Sequence, residues 1–199
     1  MHISEGILSG SVLAVGWAGT LMGTAYGLKR TEPEKIVRTA LISSAFFLAS
    51  LVNVRIGPSS THLTLLAPMG IILGEAVFPA VFVALMLQAV LFHFGGILVL
   101  GANTLVMGSS AVLTHLIFGK AIRNGTGQRK VIAFSFMAGA FAVMTGALMA
   151  GVFLGLTDRN FLGAVKILMI AHVPLALIEG LVTLFLVMWL KKTAPELLS

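Results

Sequence analysis

Cysteine is absent and charge is scarce: the 199 residues contain no Cys, and only 10% are charged, with seven acidic side chains in all. The lack of cysteine excludes disulfides, iron–sulfur clusters and thiolate metal sites. Any metal ligand must therefore come from histidine, carboxylate, methionine or backbone nitrogen. The lack of charge excludes a soluble domain, because 58% of the residues are hydrophobic and the mean hydropathy is +1.04, the profile of an integral membrane protein. A secretory signal is not expected either, since no Lys or Arg precedes the first apolar stretch, that stretch is too long, and no small-residue cleavage site leads into a polar domain. A phosphate-binding Gly-x-x-x-x-Gly-Lys-Ser/Thr loop is missing. Gly119-Lys120 has Thr114 in place of the first glycine and Ala121 in place of the hydroxyl, so ATP hydrolysis is not expected on this chain. No nucleophile and base share a face at plausible spacing, and neither an enzyme nor a catalytic cofactor is expected.

What is present is a succession of long apolar segments. An all-α integral membrane protein, a single domain of seven transmembrane helices, is predicted over residues 6–28, 35–54, 62–77, 79–98, 102–121, 129–156 and 163–190. Most match the roughly 20 residues that cross about 30 Å of hydrocarbon. The third is short and almost abuts the fourth, which predicts a tight helical hairpin or a partly re-entrant third segment. With a pI near 10.2 and a net charge of +6, nucleic-acid binding is conceivable, but the basic residues sit in short clusters at helix ends and are topology signals. On a seven-span reading ten of them (Lys29, Arg30, Lys35, Arg38, Lys120, Arg123, Arg129, Lys130, Lys191, Lys192) fall on one side and three (Arg55, Arg159, Lys166) on the other. The positive-inside rule then places the N-terminus outside and the C-terminus in the cytoplasm.

The opening residues, Met1-His2-Ile3-Ser4-Glu5-Gly6, carry chemistry of their own. A retained Met1 is expected, because a large second residue blocks methionine excision. Its amine, the His2 amide nitrogen and His2 Nδ1 can close adjoining five- and six-membered chelate rings around one divalent ion. Three coplanar nitrogens suit the square-planar preference of Ni(II) or Cu(II), with one ligand still missing. His62 follows the loop Arg55-Ile56-Gly57-Pro58-Ser59-Ser60-Thr61, which can bend to deliver a side chain, and it is a candidate ligand near the outer surface. At about 1.5 Å per residue, His93 and His172 also lie toward the outer side. Taken singly each reads more readily as a hydrogen-bonded packing residue. His115 lies toward the cytoplasmic end and is left out of any site.

Glu179 follows His172 by seven residues on one helix face, with Pro174 between them. A buried carboxylate costs about 2.5–3.5 kcal/mol on insertion scales, so it needs a partner, and a structural role is favoured over ligation. Asn53, Gln88, Asn103 and Thr104 are expected to hydrogen-bond between helices or to orient ligands. Small residues four apart, as in Ala147, Gly151 and Gly155, permit close helix approach. The ten methionines read as gap fillers.

Together the Met1–Gly6 opening, the Gly57–Leu63 loop, the stretch from Leu87-Gln88-Ala89 through Phe94-Gly95-Gly96 to Met107-Gly108, and His172-Val173-Pro174-Leu175-Ala176-Leu177-Ile178-Glu179-Gly180 resemble the substrate-binding S component of energy-coupling-factor importers for cobalt and nickel, the CbiM/NikM family. The resemblance spans nearly the whole chain. It implies that the N-terminus threads into a metal site made by Met1, His2 and His62, with Glu5, Ser60, His93, Asn103, His172 and Glu179 as candidates for the surrounding shell. It also implies residence in the cytoplasmic (inner) membrane and a link to cobalamin biosynthesis. The expected partners are a transmembrane coupling component, two ATP-binding-cassette ATPases and a small accessory membrane subunit. Some cobalt-type members carry Ser-His-Pro-Thr-Gly around the loop histidine and nickel-type members Ser-Gly-His. Here the run is Ser60-Thr61-His62-Leu63-Thr64, so the metal stays open, and square-planar nitrogen chemistry favours Ni(II) over Co(II). The alternative reading is a proton-coupled secondary metal carrier with His172 and Glu179 as the relay.

Overall fold

The computed structural model describes residues 2–51, 53–56, 59–125 and 127–198, with backbone alone for 53–56 and 59–61. Met1 lies outside the described residues. Helices dominate: α1 (Gly10–Arg30), α2 (Ile36–Ser50), α3 (Leu66–Leu73), α4 (Val77–Phe92), α5 (Leu100–Thr114), the short α6 (Lys120–Arg123), α7 (Gln128–Thr157) and α8 (Leu162–Thr193). Among the described residues four helical stretches are, by length and composition, apolar enough to cross a membrane: Leu66–Phe92, which contains a reversal at Gly74, Leu100–Arg123, Gln128–Thr157 and Arg159–Thr193. The protein is therefore a helical membrane protein.

The all-α expectation needs one correction. Strands β1 (His2–Ile3), β2 (Asn53–Ile56) and β3 (Ser59–His62) form a small antiparallel sheet in the order β1-β3-β2. Buried backbone outside the helices must satisfy its own polar groups, and pairing three short strands does so. The strands also explain where helix ends depart from the predicted spans. The first helix begins at Gly10 rather than residue 6, the second stops at Ser50 rather than 54, and the third begins at Leu66 rather than 62. The fourth ends at Phe92 rather than 98, because His93 (φ 57), Gly95 (φ 76) and Gly96 (φ 116) turn the chain toward α5. Near the far end of α5 a π-helical turn, His115–Gly119, joins it to α6.

The chain reverses at Gly74. Gly70 lies against the Ala111 carbonyl and Gly74 against His115, so α3 runs parallel to α5. Phe78 lies against Gly108, so α4 runs antiparallel to it. The turn needs φ 56 and ψ −125 at Gly74, a region that L side chains rarely adopt. Around this hairpin α1 is pinned to α5 by Thr20 Oγ1 donating to the Gly101 carbonyl (2.6 Å) and Trp17 Nε1 donating to that of Leu98 (3.1 Å). Helices α7 and α8 pack as a second antiparallel pair, with Gly139 against Glu179 and Thr183, and Gly151 against Val165.

A Cβ at Gly74 would stand 3.4 Å from the nearest atom, the His115 ring, so there is room for a methyl group but not for the backbone angle. Gly74→Ala is expected to cost about 1–2 kcal/mol of stability from left-handed strain, read as a lower unfolding midpoint in detergent. Gly163→Ala, which meets nothing within 4 Å, serves as the neutral comparison. Equal stability of the two variants would contradict a strained reversal at this residue.

Candidate metal site

The site is built where β1 lies beside β3. In the antiparallel register His2 faces Ser60, which makes His62, two residues on, its diagonal neighbour on the same side of the sheet. The two imidazoles meet with ring centroids 4.9 Å apart at 35°. Both are 3% exposed, and Phe46 closes the other side of His62 edge-on, at 6.1 Å.

The tautomer of His62 follows from its neighbour. Its Nδ1 lies 2.7 Å from the Leu63 carbonyl, which can only accept, so Nδ1 carries the proton and Nε2 presents a lone pair. That Nε2 is buried without a hydrogen-bond partner among the described residues. A desolvated lone pair in a dry pocket is costly for packing and suitable for a metal. Burial pushes the pKa values of both His2 and His62 well below the ordinary histidine range, so both rings are neutral, the form that ligates.

Strand β1 is held from its other edge. Asn103 Oδ1 accepts from the Ile3 amide at 2.9 Å, and Asn103 Nδ2 donates to the Ile3 carbonyl at 3.0 Å, so one side-chain amide occupies both backbone groups of Ile3 as a neighbouring strand would. Two residues on, the Glu5 amide donates to the Gly95 carbonyl (2.9 Å), and the Glu5 carboxylate accepts from the Leu98 amide (2.8 Å) just before α5. Gly95 is obligatory here. Its φ is 76, and a Cβ would stand 3.0 Å from Asn103 Nδ2 and 3.6 Å from the His2 ring.

The strand end that carries His62 is fixed from below by Glu179. This carboxylate, 1% exposed on α8, accepts from the Thr64 amide and, at 3.1 Å, from the Leu65 amide. Leu65 sits in the left-handed region (φ 47) as the residue before α3, a conformation that the carboxylate braces. His172 is fully buried one face-repeat earlier on α8, its Nδ1 donating to the Leu168 carbonyl at 2.7 Å, with Nε2 lacking a hydrogen-bond partner among the described residues.

The structure thus brings His2 and His62 together and places Asn103, Glu5, Glu179 and His172 around them. Ser60 is the backbone partner of His2, and its side chain lies outside the described residues, as does Met1. His93 is not brought in: it is exposed in the left-handed cap of α4, its amide bonded to the Gln88 carbonyl. Phe46 and the amides of Thr64 and Leu65 were not foreseen, because an apolar ring and a backbone amide carry no sequence signal of site membership. Gln88, expected as an interhelical group, bonds Ser50 Oγ (2.6 Å) and is a hydrogen-bonding neighbour of His2. Among the described residues no three His, Cys, Asp or Glu side chains gather as a metal cage.

Fold and site define a helical membrane protein that presents a buried imidazole pair at one end, the architecture of a metal-handling transmembrane subunit. The sequence matches the family described as the cobalt uptake substrate-specific transmembrane region (CbiM) over residues 2–197, and the chain belongs to that family. It is 35% identical over its whole length to a Haemophilus influenzae protein described as a candidate metal transport protein, covering 97% of it. It is 28% identical to the fused nickel transport protein NikMN of Rhodobacter capsulatus, spanning 64% of that longer protein. A crystal structure of a truncated transition metal transporter superposes with a TM-score of 0.85 at 25% identity, covering 96% of this chain and 99% of that one. The chain is a substrate-specific membrane component of cobalt or nickel transport.

The depressed histidine pKa values set a pH dependence for the metal-free protein. The unfolded chain takes up protons near the ordinary histidine value of about 6.5, and the folded chain refuses them. Stability is then full above that pH and falls as pH drops below it, by up to about 1.4 kcal/mol per unit for each ring. The unfolding midpoint is expected to fall between pH 7 and 5.5, and less steeply in His62→Phe. Parallel slopes for the two proteins would contradict burial of a neutral His62.

Proposed function

We propose that this chain captures Ni(II), with Co(II) as the second substrate, from the outer side of the cytoplasmic membrane, as the substrate-specific subunit of an ATP-driven energy-coupling-factor importer. The observation that carries the reading is the buried His2–His62 pair with the orphaned Nε2 of His62, set where the chain's own N-terminal strand ends. The ligand set is completed by backbone nitrogen: the Met1 amine and the His2 amide, with the His2 and His62 imidazoles, make four nitrogens around a square-planar ion. No further carboxylate is needed. Amide deprotonation on binding releases protons, so affinity rises with pH.

The chain runs as seven membrane segments, with the N-terminus outside and the ten clustered basic residues inside. Hydrolysis takes place on two separate ATPases, joined to this chain by a transmembrane coupling component, with a small accessory membrane subunit completing the assembly. The fused Rhodobacter relative, about a third of which lies beyond this chain's match, supports the existence of such neighbours. A proton-coupled carrier is not favoured, because the carboxylate of Glu179 is committed to the amides of Thr64 and Leu65.

Replacing either ring tests the site. His2→Ala and His62→Ala are each expected to weaken Ni(II) binding by at least about a hundredfold, beyond the 10–100-fold typical of losing an outer partner, in a competition titration with a chromogenic chelator. His93→Ala should stay within about threefold of the parent. Retained affinity in His62→Ala, or metal uptake by vesicles holding this chain alone under a pH gradient, would overturn the proposal.

A further inference from the structure

The end of the molecule away from the histidine pair holds a second concave site. Asn103, one turn into α5, contacts Ile3, whereas His115 at the other end of the same helix lines a cleft of about 290 Å³ with Arg30, Lys35, Arg38, Glu75 and Arg123. Two of these cations are matched within the protein. Arg30 Nε lies 3.6 Å from Glu75, and Lys35 Nζ lies 2.9 Å from Glu32. Arg38 and Arg123 have no carboxylate partner among the described residues. One guanidinium nitrogen of Arg123 donates to the Ile71 carbonyl at 2.7 Å, which holds the side chain in place, while its Nε is buried without a hydrogen-bond partner. Two unmatched guanidinium groups delivered to one cleft from separate helices call for an anion with several acceptor oxygens, and phosphate is the usual one.

The cleft does not end at the charge. Thr31 and Thr39 form its wall and also the wall of an apolar groove of about 360 Å³ between α2 and α4. The groove follows α4 from Pro79 to Leu87, about 12 Å at 1.5 Å per residue. Its lips, Leu28, Ile36, Val83 and Leu87, expose 59%, 56%, 43% and 39% of their surface. A free phosphate would fill only the cleft, and a hydrocarbon would fill only the groove. We propose that cleft and groove together bind one anionic glycerophospholipid, its phosphate at Arg38 and Arg123 and an acyl chain along the α2–α4 groove. General attraction of basic residues to an anionic leaflet gives no fixed stoichiometry, whereas this site is saturable and holds one lipid per protein.

The test uses the full-length protein in mixed phosphatidylcholine and phosphatidylglycerol, with bound lipid counted by native mass spectrometry. One phosphatidylglycerol is expected to stay on the parent protein. Arg38→Gln should reduce its retention at least tenfold; Arg38 has no ion-pair partner among the described residues to lose, so this variant should fold. Val83→Trp, which fills the groove without touching the charges, should do the same, and Lys29→Gln, basic but outside the cleft, should retain the lipid. Equal retention of phosphatidylcholine, or unchanged retention in Arg38→Gln or Val83→Trp, would overturn the proposal. So would a thermal shift from glycerol phosphate or from an acidic peptide that matches the shift from lipid, the first assigning the cleft to a free anion and the second to a protein partner.

Discussion

Everything around the His2–His62 pair depends on one side chain, Asn103, holding both backbone groups of Ile3. A two-residue strand cannot stay folded on its own, because its few ladder bonds do not offset the entropy of fixing a chain terminus. The amide of Asn103 supplies a rigid second edge from α5, so β1 is sandwiched between a helix side chain and the central strand β3. Pinned in this way, His2 is delivered to His62 with no flexible side chain in between. Strand β1 thereby becomes part of the framework that holds the two imidazoles together.

The same economy runs through the floor of the site. Glu179 is a buried carboxylate in a membrane helix, an expensive group unless it is satisfied. It is satisfied by the amides of Thr64 and Leu65, and in satisfying them it braces a leucine in left-handed geometry at the start of α3. The short helix α3 can then descend from His62 and reverse at Gly74, which leaves α4 to return alongside α5. The two ends of the bundle consequently differ in chemistry. One is buried and neutral around imidazoles; the other is an open cleft, cationic around Arg38 and Arg123.

The described helices overlap the apolar segments of the sequence, and four helical stretches are long and apolar enough to cross a membrane, because a membrane imposes a length and a composition that few other settings require. Their ends were harder to read. The second helix was expected to run to residue 54 and a loop from Arg55, whereas Asn53–Ile56 forms a strand, since its pairing with Ser59–His62 is a contact that local hydropathy does not encode. His93 read as a buried helical residue and is an exposed cap, because the two glycines at 95 and 96 end α4 earlier than hydropathy indicates. His2 and His62 were legible for a chemical reason, the chelate rings of an N-terminal histidine and a bendable loop, together with the family resemblance. The bracing roles of Asn103 and Glu179 could be foreseen only as polar groups in need of partners. Which backbone groups they would take depends on where β1 and Leu65 lie in space.

The most direct measurement is the nickel content and visible spectrum of the purified chain with its native N-terminus, beside the same chain with its α-amine acetylated. Acetylation leaves every residue in place and removes the amine from the chelate. One diamagnetic, yellow Ni(II) per native chain and none in the acetylated chain is the predicted result. Equal nickel content in the two proteins would contradict an N-terminal square-planar site.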